Sequence, residues 1–270
     1  MEIIARTRKS HFWNEDRFVL GKNYVMVIDG ATPLLKSNNF NEACWMVKYL
    51  KKNLNKTKEN LCERLKKLSK EAYELMPVKI KEEDYLPSAG MSWVEWDENY
   101  FYASVLGDCE VTFVTTDNEI VRCYSNELAI LDNKAINEMI KKASELGIHV
   151  KEARKYISDI LLAHRKLVNK PGGYSAFTLS DNPIINPKTF SIEKSRVKEI
   201  YLYSDGFASS FEFLEIYDKH ESMFSHSLDV DIEINKIVNK SFSDPYCDKY
   251  PRFKKIDDIT VIKVSNINKN

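Results

Sequence analysis

The chain has 270 residues, 43% of them hydrophobic, which is enough to bury a sizeable core and argues against global disorder. Its 40 basic and 40 acidic residues cancel, so no overall field draws it to nucleic acid or to an anionic membrane. No stretch approaches the roughly 18 apolar residues of a membrane span, and the opening Met1-Glu2-Ile3-Ile4-Ala5-Arg6 is too polar for a secretory signal.

Residues 2–9 and 17–20 read as short strands, and Tyr24 to Ile28 as a strongly apolar one running into Asp29. A helix follows between Asn39 and Leu54, where Phe40, Ala43, Cys44, Val47, Leu50 and Leu54 share one face. Thr57 is placed to cap a second helix carrying Leu61, Leu65, Leu68, Ala72 and Leu75, whose spacing suits a core stripe. Beyond the charged connector from Pro77 to Pro87 come four aromatic and β-branched runs, 91–96, 100–106, 111–115 and 120–123. They predict an antiparallel meander with turns at Asp97-Glu98-Asn99, Gly107-Asp108 and Asp117-Asn118. A helix is expected between Asn133 and Gly147, and another through Ala153, Ile157, Ile160, Leu161 and Leu167 up to Pro171-Gly172-Gly173. Strands near 174–179 and 200–203, a helix near 229–239 and a closing strand at 260–264 finish the chain before a polar tail at 265–270. No linker divides it, so a single domain over residues 1–270 is expected, with two sheets and helices outside.

The chemistry lies in short acidic clusters at the ends of these strands: Asn14-Glu15-Asp16, Asp29-Gly30, Asp205-Gly206 and Asp257-Asp258-Ile259-Thr260-Val261. One Asp-Gly pair alone is an ordinary turn. Several carboxylates gathered at the tips of core strands repel one another and lose solvation unless a cation neutralises them. An all-oxygen set suits Mg²⁺ or Mn²⁺. The eight glycines leave no room for a G-x-G-x-x-G fingerprint or a P-loop, yet Gly30, Gly107 and Gly206 flank acidic positions. Cys44, Cys62, Cys109, Cys123 and Cys247 form no C-x-x-C pair, which points to reduced thiols and a cytoplasmic setting rather than zinc or disulfides.

Five stretches in this order resemble the metal-dependent serine/threonine phosphatases of the type 2C class, the PPM family, in a bacterial-like form. They are Asn14-Glu15-Asp16-Arg17, Val27-Ile28-Asp29-Gly30, Ser104-Val105-Leu106-Gly107-Asp108, Tyr203-Ser204-Asp205-Gly206 and Asp257-Asp258-Ile259-Thr260-Val261. The resemblance implies an α+β fold, an α-β-β-α sandwich of two mainly antiparallel sheets flanked by helix pairs. It implies hydrolysis of phosphoserine and phosphothreonine in a phosphoprotein partner by water activated at two Mn²⁺ or Mg²⁺ ions, with a third ion in some members. Asp29 would bridge two ions and the Gly30 carbonyl would bind one of them. Asp205 and Asp257 would hold one ion, Asp16 or the neighbouring Glu15 would act through water, and Asp108 would help hold a third ion. Asp29 and Asp205 are thus the implied catalytic pair. The final motif fits the family with either Asp257 or Asp258 as ligand, and the register favours Asp257.

Two departures stand out. Where the family commonly has an arginine that contacts the substrate phosphate, this sequence has His11, with Arg6, Arg8, Lys9 and Arg17 nearby. After Asp29-Gly30, where relatives often continue with glycine, it reads Ala31-Thr32-Pro33. Residues 133–170 fall where the family varies. Two other readings stay open: a catalytically impaired regulatory domain of the same fold, and a haloacid-dehalogenase-type phosphatase with Asp29 as nucleophile. The second generally needs another Asp two positions on, where Ala31 stands. No G-x-S-x-G elbow occurs, and the five histidines lack H-E-x-x-H spacing.

Overall fold

A computed structural model describes residues 1–34, 40–56, 60–78 and 86–267. Strands β1 (Glu2–Arg8), β2 (Asp16–Leu20) and β3 (Tyr24–Gly30) open the chain, followed by α1 (Glu42–Asn53) and α2 (Leu61–Leu75). The Asn41 side chain caps α1 by accepting from the Cys44 amide. Asn60 caps α2 by accepting from the Cys62 amide. The expected cap Thr57 lies outside the described residues.

The next four strands are β4 (Ser88–Trp96), β5 (Tyr100–Leu106), β6 (Glu110–Thr115) and β7 (Ile120–Cys123). They are not one meander. β4 pairs with β5 and β6 with β7, but Gly107-Asp108 carries the chain from one sheet to the other. β5 and β6 are buried along most of their lengths, and a run apolar on both faces does not announce its partner.

Helix α3 (Glu127–Leu146) begins well before the predicted Asn133 and ends at Gly147, whose φ of +63° is the left-handed cap that glycine favours. The single helix expected after it is broken into α4 (Val150–Ala153), a 3-10 turn (Arg154–Ile157) and α5 (Ser158–Arg165). Then come β8 (Phe177–Thr178), the edge strand β9 (Lys188–Glu193), β10 (Val197–Tyr203), α6 (Asp205–Glu212), α7 (His220–Phe224), α8 (Val230–Ser243) and β11 (Ile259–Ser265).

One sheet runs β1-β11-β10-β6-β7 and the other β2-β3-β4-β5-β9, with β8 paired to β4. Every strand pair is antiparallel. The two-residue alternation of β3 explains the layering. Val25 and Val27 point between the sheets, where they join Phe101, Phe113, Leu202 and Ile262. Met26 and Ile28 point the other way and pack on Val47, Leu50, Leu65 and Leu68 of α1 and α2. On the far side Tyr201, Tyr203 and Val261 pack against Phe207 of α6 and Ile234 and Ile237 of α8. Burying such a side chain is worth about 1.5–3 kcal/mol, so the continuous apolar run of β3, covered on both faces, anchors one end of the site. The architecture is the expected α-β-β-α sandwich.

Candidate metal centre

Pairing of β2 with β3 sets Asp16 opposite Asp29, and pairing of β3 with β4 sets Asp29 opposite Gly90. The turn between the sheets brings Asp108 to the same place. A Cβ built on Gly90 would lie 2.4 Å from Asp108 Oδ1, so the absent side chain is what lets Asp108 approach β4. Ligand atoms of Asp29, Asp108 and Cys109 lie within 4.8 Å of one another. From the opposite sheet, β10 runs through Ser204 into Asp205 at the start of α6, and the loop before β11 supplies Asp257. Asp29, Asp108, Asp205 and Asp257 all line one cleft of about 160 Å³. A larger cavity of about 340 Å³ adjoins it and shares Asp108, Asp205 and Asp257 with it, with residues of α3 and Arg122 also in its lining.

The electrostatics are those of a carboxylate cluster short of positive charge. Burial, reinforced by Asp16, Asp205 and Asp108, pushes the Asp29 carboxyl well above its usual range. Burial and Asp257 do the same to Asp205. Asp16 is pushed up to about 8 by burial and by Asp258 and Asp205, against the hydrogen bond that it accepts from Ser204 Oγ at 2.8 Å. Asp108 rises to about 7, through burial and the charge of Asp132 on α3. The Cys109 thiol is driven well above its ordinary value, first by burial and then by Asp29 and Asp108, and so stays protonated. That leaves oxygen as the donor set, and it fits divalent cations that prefer hard ligands.

The neighbouring acidic residues have other roles. Asp258 is buried and accepts from the Ser10 amide and hydroxyl at 2.6 and 2.8 Å and from the Glu15 amide at 2.6 Å. It ties the N-terminal segment to the sheet, which leaves Asp257 facing the cleft. Glu15 is turned away from Asp16: its carboxylate accepts from Thr32 Oγ1 at 2.6 Å and from Asn41 Nδ2 at 2.7 Å. Gly30 fits because a Cβ there would lie 2.9 Å from the Glu15 carbonyl, and Gly206 because one would lie 1.8 Å from the Asp258 carbonyl.

Asp16, Asp29, Asp108, Asp205 and Asp257 therefore converge. His11 does not join them; it is exposed and lines neither cavity. Sequence reading missed Lys254, whose Nζ lies 2.8 Å from Asp257 Oδ1 and which lines both cavities. Burial alone would lower its pKa, but Asp257 and Asp205 together override that and hold the ammonium charged. It also missed Asp132, Arg154, His164 and Arg165 around the cleft. Isolated charged residues on helices carry no motif, so nothing in the sequence marked them.

No protein-family model and no curated protein matches the sequence. Solved structures do resemble it. The serine/threonine phosphatase Stp1 from Staphylococcus aureus superimposes with a TM-score of 0.57 at 13% identity, over 98% of this chain and 94% of that one. The serine/threonine phosphatase PstP/Ppp of Mycobacterium tuberculosis matches with a TM-score of 0.53 at 14% identity, over 97% of each chain. The catalytic domain of PstP, solved in complex with two manganese ions, gives 0.56 at 12% identity, over 97% of this chain and 96% of that one. At such identities the likeness establishes a shared fold: that of the bacterial PPM-type phosphatases.

Proposed function

We propose that this chain, built on the PPM phosphatase fold, is a divalent-metal-dependent phosphatase acting on phosphoserine and phosphothreonine in proteins. The observation that carries the reading is the convergence of Asp29, Asp108, Asp205 and Asp257 on one cleft from separate strand ends. Carboxyls pushed up by burial and mutual repulsion, as these are, give up their protons when a cation enters. Asp29, the Gly30 carbonyl, Asp205 and Asp257 would hold two Mn²⁺ or Mg²⁺ ions. Asp16 would act through water and Asp108 would help hold a third ion. Once bound, the ions would supply Lewis-acid charge and a water of lowered pKa.

The chain's own residues orient and balance this centre. Ser204 fixes the Asp16 carboxylate, Lys254 fixes Asp257, and Asp258 holds the N-terminal segment against β11. The manganese in PstP supports the choice of ion. A cytoplasmic setting fits the scattered free cysteines. The haloacid-dehalogenase reading loses ground, because Asp29 sits among four other cleft-side aspartates instead of with one acid partner at position 31.

One observation favours the alternative of a domain that has lost catalysis. Lys254 offers the cluster an internal positive charge that requires no metal. The discriminating experiment is phosphate release from a phosphothreonine peptide by chelator-stripped protein, before and after addition of Mn²⁺. Turnover that appears only with Mn²⁺ supports the phosphatase. No turnover with Mn²⁺ or Mg²⁺ on any phosphopeptide supports the impaired domain, and full turnover after chelation contradicts a metal mechanism.

A further inference from the structure

We propose that Arg154 is the side chain that grips the phosphoryl group of the substrate at this centre, in place of a cation from the N-terminal segment. The inference rests on the phosphatase reading above and assigns a contact that the fold leaves open here. The smaller cleft is lined by residues of both signs. Asp29, Asp108, Asp205 and Asp257 share it with Arg154 and Arg165 from the segment spanning α4, the 3-10 turn and α5.

The two arginines differ in what they already hold. Arg165 Nη2 donates to the Thr32 carbonyl at 3.5 Å and its guanidinium also bonds the Tyr174 hydroxyl, so it fastens the segment to the loop after β3. Arg154 Nε is buried and has no hydrogen-bond partner among the described residues. A guanidinium keeps its charge at any physiological pH, and a buried donor without an acceptor is costly. Its planar fork matches two phosphoryl oxygens. A phosphoryl group in the cleft would supply the missing acceptors and the negative charge together.

Among the described residues, the other cations near the site are committed or misplaced. Lys254 is paired with Asp257. Arg6 is paired with Asp231 at 2.8 Å. Arg17 donates to the backbone carbonyls of Asn14 and Asp16. Arg8, Lys9 and His11 are exposed and line neither cavity.

The segment that carries Arg154 is also pinned to the part of the chain that leads to Asp257. Asp248 accepts from the Val150 amide at 2.9 Å and contacts His149 Nδ1 at 2.6 Å. The His149 ring stacks on Tyr246 with centroids 4.0 Å apart, and the Lys151 amide donates to the Tyr246 carbonyl. Phe253, beside Lys254, packs against the cluster formed by α3, α4 and the 3-10 turn. The segment carrying Arg154 is thus tied to residues 246–253, which lead into Asp257.

The test is calorimetric binding of inorganic phosphate to the Mn²⁺-supplemented full chain, alongside kcat and KM for a phosphothreonine peptide. Arg154→Ala should weaken phosphate binding by about ten- to a hundred-fold, the value of charge-assisted hydrogen bonds lost from a buried site. KM should rise by a similar factor with a smaller change in kcat. Arg154→Lys should recover part of the loss, and Mn²⁺ affinity and Tm should stay within error of the parent. Phosphate affinity within twofold of the parent in Arg154→Ala, with peptide turnover intact, overturns the assignment and leaves the phosphatase reading standing. So does a loss confined to His11→Ala. A parent that binds phosphate through Arg154 yet hydrolyses nothing supports the contact and counts against the proposed activity instead.

Discussion

Replacing Asp16 by Asn should stabilise the metal-free protein at alkaline pH. Asn keeps the shape and an acceptor oxygen for the Ser204 hydroxyl, and it removes a charge from the most buried carboxylate of the cluster. Well below pH 3.8 Asp16 is protonated whether folded or unfolded and its raised pKa costs nothing. Between its ordinary value of 3.8 and its folded value of about 8, the unfolded chain ionises while the folded chain keeps the proton. Stability is therefore lost steadily as pH rises through that window and levels off above 8. About four units at roughly 1.36 kcal/mol each amount to an upper bound on the order of 5 kcal/mol. Asp258 and Asp205 share the repulsion and take up part of the proton, so a single substitution should recover roughly 2–4 kcal/mol. At about 2 °C per kcal/mol for a chain of this size, Tm in EDTA at pH 8.5 should rise by roughly 4–8 °C. The gain should shrink towards zero by pH 4.5. Scanning calorimetry of both proteins at the two pH values is the assay. An unchanged or lower Tm for Asp16→Asn at pH 8.5 would refute the claim that mutual repulsion strains this cluster when chelator withholds metal.

The register of the C-terminal motif predicts opposite behaviour for adjacent residues. Asp257→Asn should leave Tm close to the parent and cut Mn²⁺ affinity and turnover by orders of magnitude, because its carboxylate faces the cleft. Asp258→Asn should lower stability by about 1–3 kcal/mol, because an amide cannot accept from Ser10 and Glu15 with both of its heavy atoms; denaturant unfolding reads that loss. Gly90→Ala should push Asp108 off β4 through the 2.4 Å approach to Oδ1. Its Mn²⁺ affinity, followed by titration calorimetry, should fall by roughly ten- to a hundred-fold, as when support for a ligand is removed.

The carboxylate cluster was more legible than the framework around it, for a physical reason. Asp29, Asp205 and Asp257 each adjoin an apolar strand whose burial is written in local composition, so their place at a strand end could be read without knowing the partner strands. Asp258 shows the limit of that approach. It adjoins the proposed ligand Asp257 in sequence, and only its bonds to Ser10 and Glu15, far along the chain, set it apart from that cleft-lining neighbour. The crossing at Gly107-Asp108 looked like a hairpin turn because the strands on both sides are buried, and burial alone does not choose between sheets. Strand β9 escaped notice as a mostly exposed edge with Ile192 its one buried residue. Helix α6 escaped because it starts on Ser204-Asp205-Gly206, which has the composition of a turn. Arg154 and Lys254 reach the cleft through the break at 154–157 and the loop before β11. Their importance comes from what faces them across the cleft, and no local pattern encodes it.

The most direct test of the account is a titration of Mn²⁺ into chelator-stripped protein, with bound metal and phosphate release from a phosphothreonine peptide followed in the same samples. The account predicts that binding and turnover rise together in the parent, and that Asp29→Asn, folded to the same Tm or higher, loses both. Turnover that survives in Asp29→Asn, or that is already present before any Mn²⁺ is added, would contradict it.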